Sequence, residues 1–148
     1  MMLRTLQPSR RAFAGLLLLA VGGCGAPGEE HEDLRRSAYT NYGEGVAAFN
    51  SNDRATALTK FTAAIEGGGL NPDVACDARV KRAVCLAAAG KYDEALSDLE
   101  KNGSGASNPE AVEAARSYIY RKQGKAAEAQ AALVKARRYN PRIQEFKD

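Results

Sequence analysis

Tryptophan is absent, histidine occurs once, and Phe, Trp and Tyr together make up only 7% of the chain. So thin an aromatic content, with Ala and Leu dominant, argues against a β-sandwich and for packed helices. The single His31 excludes a histidine-based dyad within a folded domain and stands alone as a metal ligand. Three cysteines are too few for a disulfide framework. No apolar run approaches the roughly 20 residues that span a bilayer; the longest, Ala12–Val21, has ten. The triplet Gly67-Gly68-Gly69 lacks the Lys-Ser/Thr of a phosphate-binding loop and reads as a flexible junction. What remains is ordinary globular composition, 45% hydrophobic and 26% charged, over 148 residues, a length for one domain with a tail.

Acids are also missing from residues 1–23, which carry Arg4, Arg10 and Arg11. A basic start, a short apolar middle and a small-residue end are the parts of a secretory signal peptide. The end, Val21-Gly22-Gly23-Cys24, resembles a bacterial lipobox. The resemblance implies lipidation of the Cys24 thiol and cleavage before it. One acyl chain holds a protein only marginally, at about 0.8 kcal/mol per buried CH₂, whereas several make a stable anchor. Ser9-Arg10-Arg11-Ala12-Phe13 is similar to a twin-arginine export motif, with Ala14 and Gly15 departing from it. A plain cleaved signal with an incidental Cys24 is the alternative. Residues 24–33 are polar, acidic and Gly/Pro-bearing, and are expected to form a flexible tether. Gly25, rather than Asp, after the cysteine tilts the expected destination toward the outer membrane.

The remaining residues, 34–148, contain three aligned segments. They begin at Asn52, Gly90 and Gly124, residue types that tolerate the left-handed backbone at a helix end. Each then carries an alanine (Ala57, Ala95, Ala129) and, four residues on, a bulky apolar residue (Phe61, Leu99, Leu133). The alanines are spaced by 38 and 34 residues, and the Gly67–Gly69 insertion accounts for most of the excess. Asn71-Pro72-Asp73 and Asn108-Pro109-Glu110 place Asn at a helix N-cap, Pro in the first turn and an acid behind it.

This pattern resembles the tetratricopeptide repeat family. The resemblance implies an all-α fold, an α-solenoid of about three helix-turn-helix repeats at about 38–72, 73–109 and 110–141, with a short cap after them. The small alanines would pack each second helix against its first, with Ala64 and Ala136 as further small positions and Asn102 in the place of a third. Gly45, Ala83 and Ser117 fit the small position of the first helices. The family tryptophan is replaced by Asn41, Arg79 and Glu113. The departure at Asn102 predicts a short second B helix. Another α-solenoid is the structural alternative. After Pro141, Ile143 and Phe146 are placed to lay an apolar edge on the last B helix.

No constellation for catalysis is found, and the chain reads as non-enzymatic, with no cofactor and no metal. The acids are expected on solvated helix faces. Cys76 and Cys85, nine residues apart on one helix, would lie roughly 13.5 Å apart and cannot pair. Cys85 reads as a buried packing residue, and Cys76 as partly exposed.

In the repeat family the first helices line an inner groove. Carried over, the partner-binding groove comprises Tyr39, Tyr42, Val46, Phe49 and Asn50 from repeat 1, Asp77 from repeat 2, and Tyr118, Arg121 and Lys122 from repeat 3. Val80, Val84, Ala88, Ala111 and Ala114 share these faces, and for Val80, Val84, Ala111 and Ala114 simple packing is the alternative. Val46, Val84 and Tyr118 stand where a chaperone-type carboxylate clamp needs polar groups, so that subclass is not indicated.

Formal charge is +3, and Arg4, Arg10 and Arg11 supply all of it. The excess is therefore a targeting feature and gives no support to nucleic-acid binding. Residues 24–100 carry 8 bases and 13 acids; residues 101–148 carry 10 and 5. The expected function is that of an envelope-anchored scaffold or assembly factor in a secretion, pilus or outer-membrane complex. It would bind a protein or peptide partner and be held to the membrane through lipid on Cys24. The alternative is a periplasmic tether binding cell-wall glycan or an acidic partner through the basic C-terminal face.

Overall fold

The computed structural model describes residues 27–102 and 106–147. The expected all-α class holds, with six helices and no strand among the described residues. They are α1 (Pro27–Asn50), α2 (Arg54–Glu66), α3 (Pro72–Ala88), α4 (Tyr92–Glu100), α5 (Pro109–Lys122) and α6 (Ala126–Tyr139). None is long and apolar enough to cross a membrane. Residues 1–26, which hold the predicted signal peptide, Cys24 and the start of the expected tether, lie outside the described residues.

One local device is used three times. The turns α1–α2, α3–α4 and α5–α6 pass through Asn52, Gly90 and Gly124 at φ of 63°, 79° and 73°. This left-handed conformation is open to Gly and tolerated by Asn, which explains the residue choice. In each turn the next residue's N–H reaches back to a carbonyl five positions earlier: Asp53 to Ala48, Lys91 to Leu86 and Lys125 to Tyr120, each at 2.9 Å. The helix thus closes its carbonyls as it reverses. The result is three helical hairpins, α1–α2, α3–α4 and α5–α6. α3 also packs on α2 and α5, and α4 touches α5, so successive hairpins stack.

The spaced small residues are where the helices meet. Ala57, Ala95 and Ala129 are buried, as are Phe61, Leu99 and Leu133 one turn on, and Ala64 and Ala136 after them. Phe61 centres one cluster with Ala57, Ala78 and Cys85, flanked by Tyr42, Val46 and Phe49. A larger cluster joins α3, α4 and α5 through Val80, Val84, Leu86, Leu99, Val112, Tyr118 and Ile119. At Gly45 the backbone of α1 approaches the Phe61 ring so closely that a Cβ would sit 2.8 Å from two ring carbons. Ser117 Oγ donates to the Ala129 carbonyl at 2.8 Å, tying α5 to α6 from a buried position. α4, which ends before Asn102, is the shortest helix at nine residues, as its sequence predicts.

Several sequence expectations are corrected. α1 starts at Pro27, so the part of the proposed tether from 27 to 33 is helical. Acids near a helix N-terminus oppose its positive end, and Asp33 pairs with Arg36 at 3.0 Å. Gly69 is more than a loose junction, because its backbone lies against Arg35, where a Cβ would come within 2.9 Å. Asn71 caps α3 by accepting from the Val74 N–H at 2.9 Å. Asn108 makes no such bond; its Oδ1 takes the Cys76 thiol at 3.1 Å instead, and Cys76 is buried rather than partly exposed. Cys76 and Cys85 are both free.

The acids are not all on solvated faces either. Asp98 of α4 is buried and holds Arg82 of α3 by two bonds, at 2.6 and 2.7 Å. Glu113 of α5 is buried and pairs with Lys135 at 2.6 Å and Arg116 at 3.5 Å. An ion pair thus joins α5 to α6. A buried carboxylate requires such partners.

Candidate functional site

The predicted groove residues do not form one open surface. Tyr39 is half-buried, its hydroxyl oxygen 3.4 Å from the Asn71 N–H and its ring beneath Arg35. The Tyr42 hydroxyl donates to Asp77 Oδ2 at 2.6 Å, linking α1 to α3, and Asp77 also pairs with Lys81. Burial, and then the bond and charge of Asp77, push the Tyr42 phenol well above its usual range. Tyr42 and Asp77 therefore meet each other, and Val46 packs toward Phe61. Val80, Val84 and Ala114 are core residues. Tyr118 is also core, at 1% exposure, so its place as a groove contact is corrected. Asn50 is exposed at the end of α1.

At the other end the structure brings together residues from distant parts of the chain. Phe49 of α1 lies edge-on to Phe61, with ring centroids 6.3 Å apart. Arg54, the first residue of α2, stacks its guanidinium 4.0 Å above the Phe49 ring and donates to the Phe49 carbonyl at 3.2 Å. Arg121 of α5 lies 5.3 Å from the Tyr118 ring centroid, and Lys122 lies 5.9 Å from it. Stacking on aromatic faces fixes these cations in place.

Onto this surface folds the segment 141–147, which after a turn at Pro141 and Arg142 has no regular secondary structure. The Phe146 ring stands perpendicular to Phe49, at 6.2 Å and 88°. The Glu145 carboxylate is divided between two arginines, Oε2 to Arg121 at 3.2 Å and Oε1 to Arg137 of α6 at 3.0 Å. Arg121 Nη2 donates to the Phe146 carbonyl at 2.5 Å, and Arg54 Nη2 to the Lys147 carbonyl at 3.2 Å. The segment spans from α6 back to the first hairpin, a link of 93 positions at Arg54–Lys147.

The apolar edge expected on the last helix reaches farther: Phe146 packs on Phe49 and the α3–α5 cluster, while Glu145 bonds Arg137 of α6. Irregular chain leaves its carbonyls without helical partners, and Arg121 and Arg54 bond two of them, those of Phe146 and Lys147. Sequence reasoning placed Phe49 and Arg121 on the groove and Arg137 on the basic C-terminal face, but missed Arg54 and Glu145. Their only signal was charge, which is common on helix surfaces. Beside the segment is an open depression of about 790 Å³, lined by Arg121, Arg137 and residues 141–147.

No family model, curated protein or solved structure matches the chain. The reading of the site therefore rests on its own chemistry. Among the described residues no group of His, Cys, Asp and Glu is placed to hold a metal. His31 is exposed on α1. Burial pushes the Cys85 thiol up to about 11, against a smaller opposing pull from Arg54, which leaves it a neutral packing group at ordinary pH. What the arrangement offers is recognition: an aromatic shelf, stacked guanidinium donors and an irregular main chain lying across them.

Proposed function

We propose that this protein is a lipid-anchored tetratricopeptide-type scaffold of a bacterial envelope. It is non-enzymatic and binds an extended protein segment on the face bounded by Phe49, Arg54 and Arg121. The observation that carries the reading is the seated segment 141–147, whose aromatic ring and main-chain carbonyls are held as a peptide ligand's would be. Three stacked hairpins with alanines at their crossings support the solenoid reading. The lipobox-like Val21-Gly22-Gly23-Cys24 supports the anchor, with the outer membrane facing the periplasm as the proposed site. The glycan-tether alternative is less favoured, because Arg121 and Arg137 of the basic face already hold Glu145.

The test is a photo-crosslinking residue in place of the exposed Asn50, with a second in place of the exposed Val134 on α6 as control. Capture of a discrete protein in cells from position 50 and not from 134 is the expected result. Equal capture from both positions, or none from either, would refute the reading. For the anchor, incorporation of a fatty-acid analogue is expected to vanish in Cys24→Ala.

A further inference from the structure

The seated segment has features that a fold-completing cap does not need. Among the described residues its contacts are shallow: Phe146 is only half-buried, and the Glu145 side chain is 37% exposed. Its backbone makes no ladder with the rest of the chain. The turn before it is closed locally, by Ile143 N–H to the Asn140 carbonyl at 3.1 Å and Arg142 N–H to Asn140 Oδ1 at 3.0 Å. Beyond that turn, the contacts among the described residues that hold the chain at the first hairpin and α5–α6 are one ring, one carboxylate and two carbonyls.

The groups that hold it are fixed by other contacts. Arg54 is stacked on Phe49 and bonded to the Phe49 carbonyl, and Arg121 lies over Tyr118. Phe49 is seated against Phe61. Arg54 Nε is buried with no hydrogen-bond partner among the described residues, so one donor remains unused by this occupant. A site whose donors stay placed in the absence of the ligand loses little entropy on binding.

From these observations we infer that the face is a receptor for an extended segment with an acidic residue immediately before an aromatic one, and that residues 141–147 are its resident, displaceable occupant. The inference rests on the groove-binding reading above and adds the chemistry of the partner and its control. The aromatic ring seats edge-on to Phe49. The carboxylate before it bridges Arg121 and Arg137, and the following carbonyls take Arg121 and Arg54. The partner is a segment of another protein with the same order of groups. It gains access only when the resident leaves, so the chain sets its own threshold for binding. A short connection keeps the resident at an effective concentration in the millimolar range, which lowers the apparent affinity of a competitor by the fraction of faces left open.

The test uses the full chain and a fluorescein-labelled peptide, Pro-Arg-Ile-Gln-Glu-Phe-Lys, followed by fluorescence anisotropy. Two full-length variants release the resident, Glu145→Gln and Phe146→Ala, neither of them in a helix. The peptide is expected to bind each released variant about tenfold or more tightly than the unchanged chain. Binding is expected to be lost when Arg121→Glu is added, or when the peptide carries Phe146→Ala. A circular-dichroism melt confirms that each variant is folded. Equal binding to released and unchanged chains, or binding to neither, would overturn the inference. In either case the Asn50 crosslink still reports on partner binding separately. Sedimentation addresses the remaining occupant: a dimer of the unchanged chain that is lost in Phe146→Ala would place a second copy's segment on the face and overturn the resident arrangement.

Discussion

Replacing Asp98 by Ala tests the buried ion pair between α3 and α4. Asp98 is 2% exposed, and the Arg82 side chain opposite it 13%. The pair is bidentate, with Nε and Nη2 of Arg82 each bonded to one carboxylate oxygen. Asp98→Ala leaves a guanidinium mostly out of water with no counter-charge, and breaking such a pair costs about 3–5 kcal/mol. The third partner, Lys101 at 3.6 Å, is exposed and returns to water at little cost. Against a domain stability on the order of 5–15 kcal/mol, this is a large share. At several degrees per kcal/mol the melting midpoint should fall by roughly 10–15 °C. Arg82→Lys keeps the charge but cannot form the fork, and should lose about 1–2 kcal/mol. The double change Arg82→Met with Asp98→Leu removes both charges and should recover most of the loss. Urea unfolding followed by circular dichroism reads all three variants on one scale. If Asp98→Ala costs less than about 1 kcal/mol, the value of an exposed pair, the assignment of this contact as a buried inter-helix link is wrong.

Gly45→Ala sets a helix-propensity gain of about 1 kcal/mol against overpacking on a fully buried Phe61 ring, a penalty of about 1–3 kcal/mol. Net destabilisation is expected, and it should shrink or reverse in a Phe61→Leu background; a full-sized loss there would refute the contact. Asn71→Ala should cost about 1 kcal/mol by removing the α3 cap, seen as a lower urea midpoint with an unchanged slope. The Cys85 thiol has a folded value near 11, above its ordinary 9.0, so its contribution to stability is complete below about pH 9 and is lost as pH rises toward 11. Over that interval the unchanged chain should therefore lose more stability than Cys85→Ala does, as read by thermal melts at each pH.

The turn residues Asn52, Gly90 and Gly124 and the alanines at 57, 95 and 129 determined the helical hairpins by themselves. Both are local constraints. A left-handed turn admits few residue types, and two helices that cross closely leave room only for a small side chain. The short α4 was legible for the same reason. The shape of the candidate site was not. Phe49 and Arg121 could be placed on a face through the resemblance to the repeat family, but no periodicity links either to Phe146, which follows α6. Whether Tyr118 is core or surface, and whether Asp98 and Glu113 face water, depends on which helices close over them. Charge and aromaticity alone do not tell a solvated side chain from a paired one. The tertiary structure decides this, because the stacking of hairpins brings the start of α2 near the end of α5. Only there do Arg54, Arg121 and Phe49 become neighbours able to hold an extended chain.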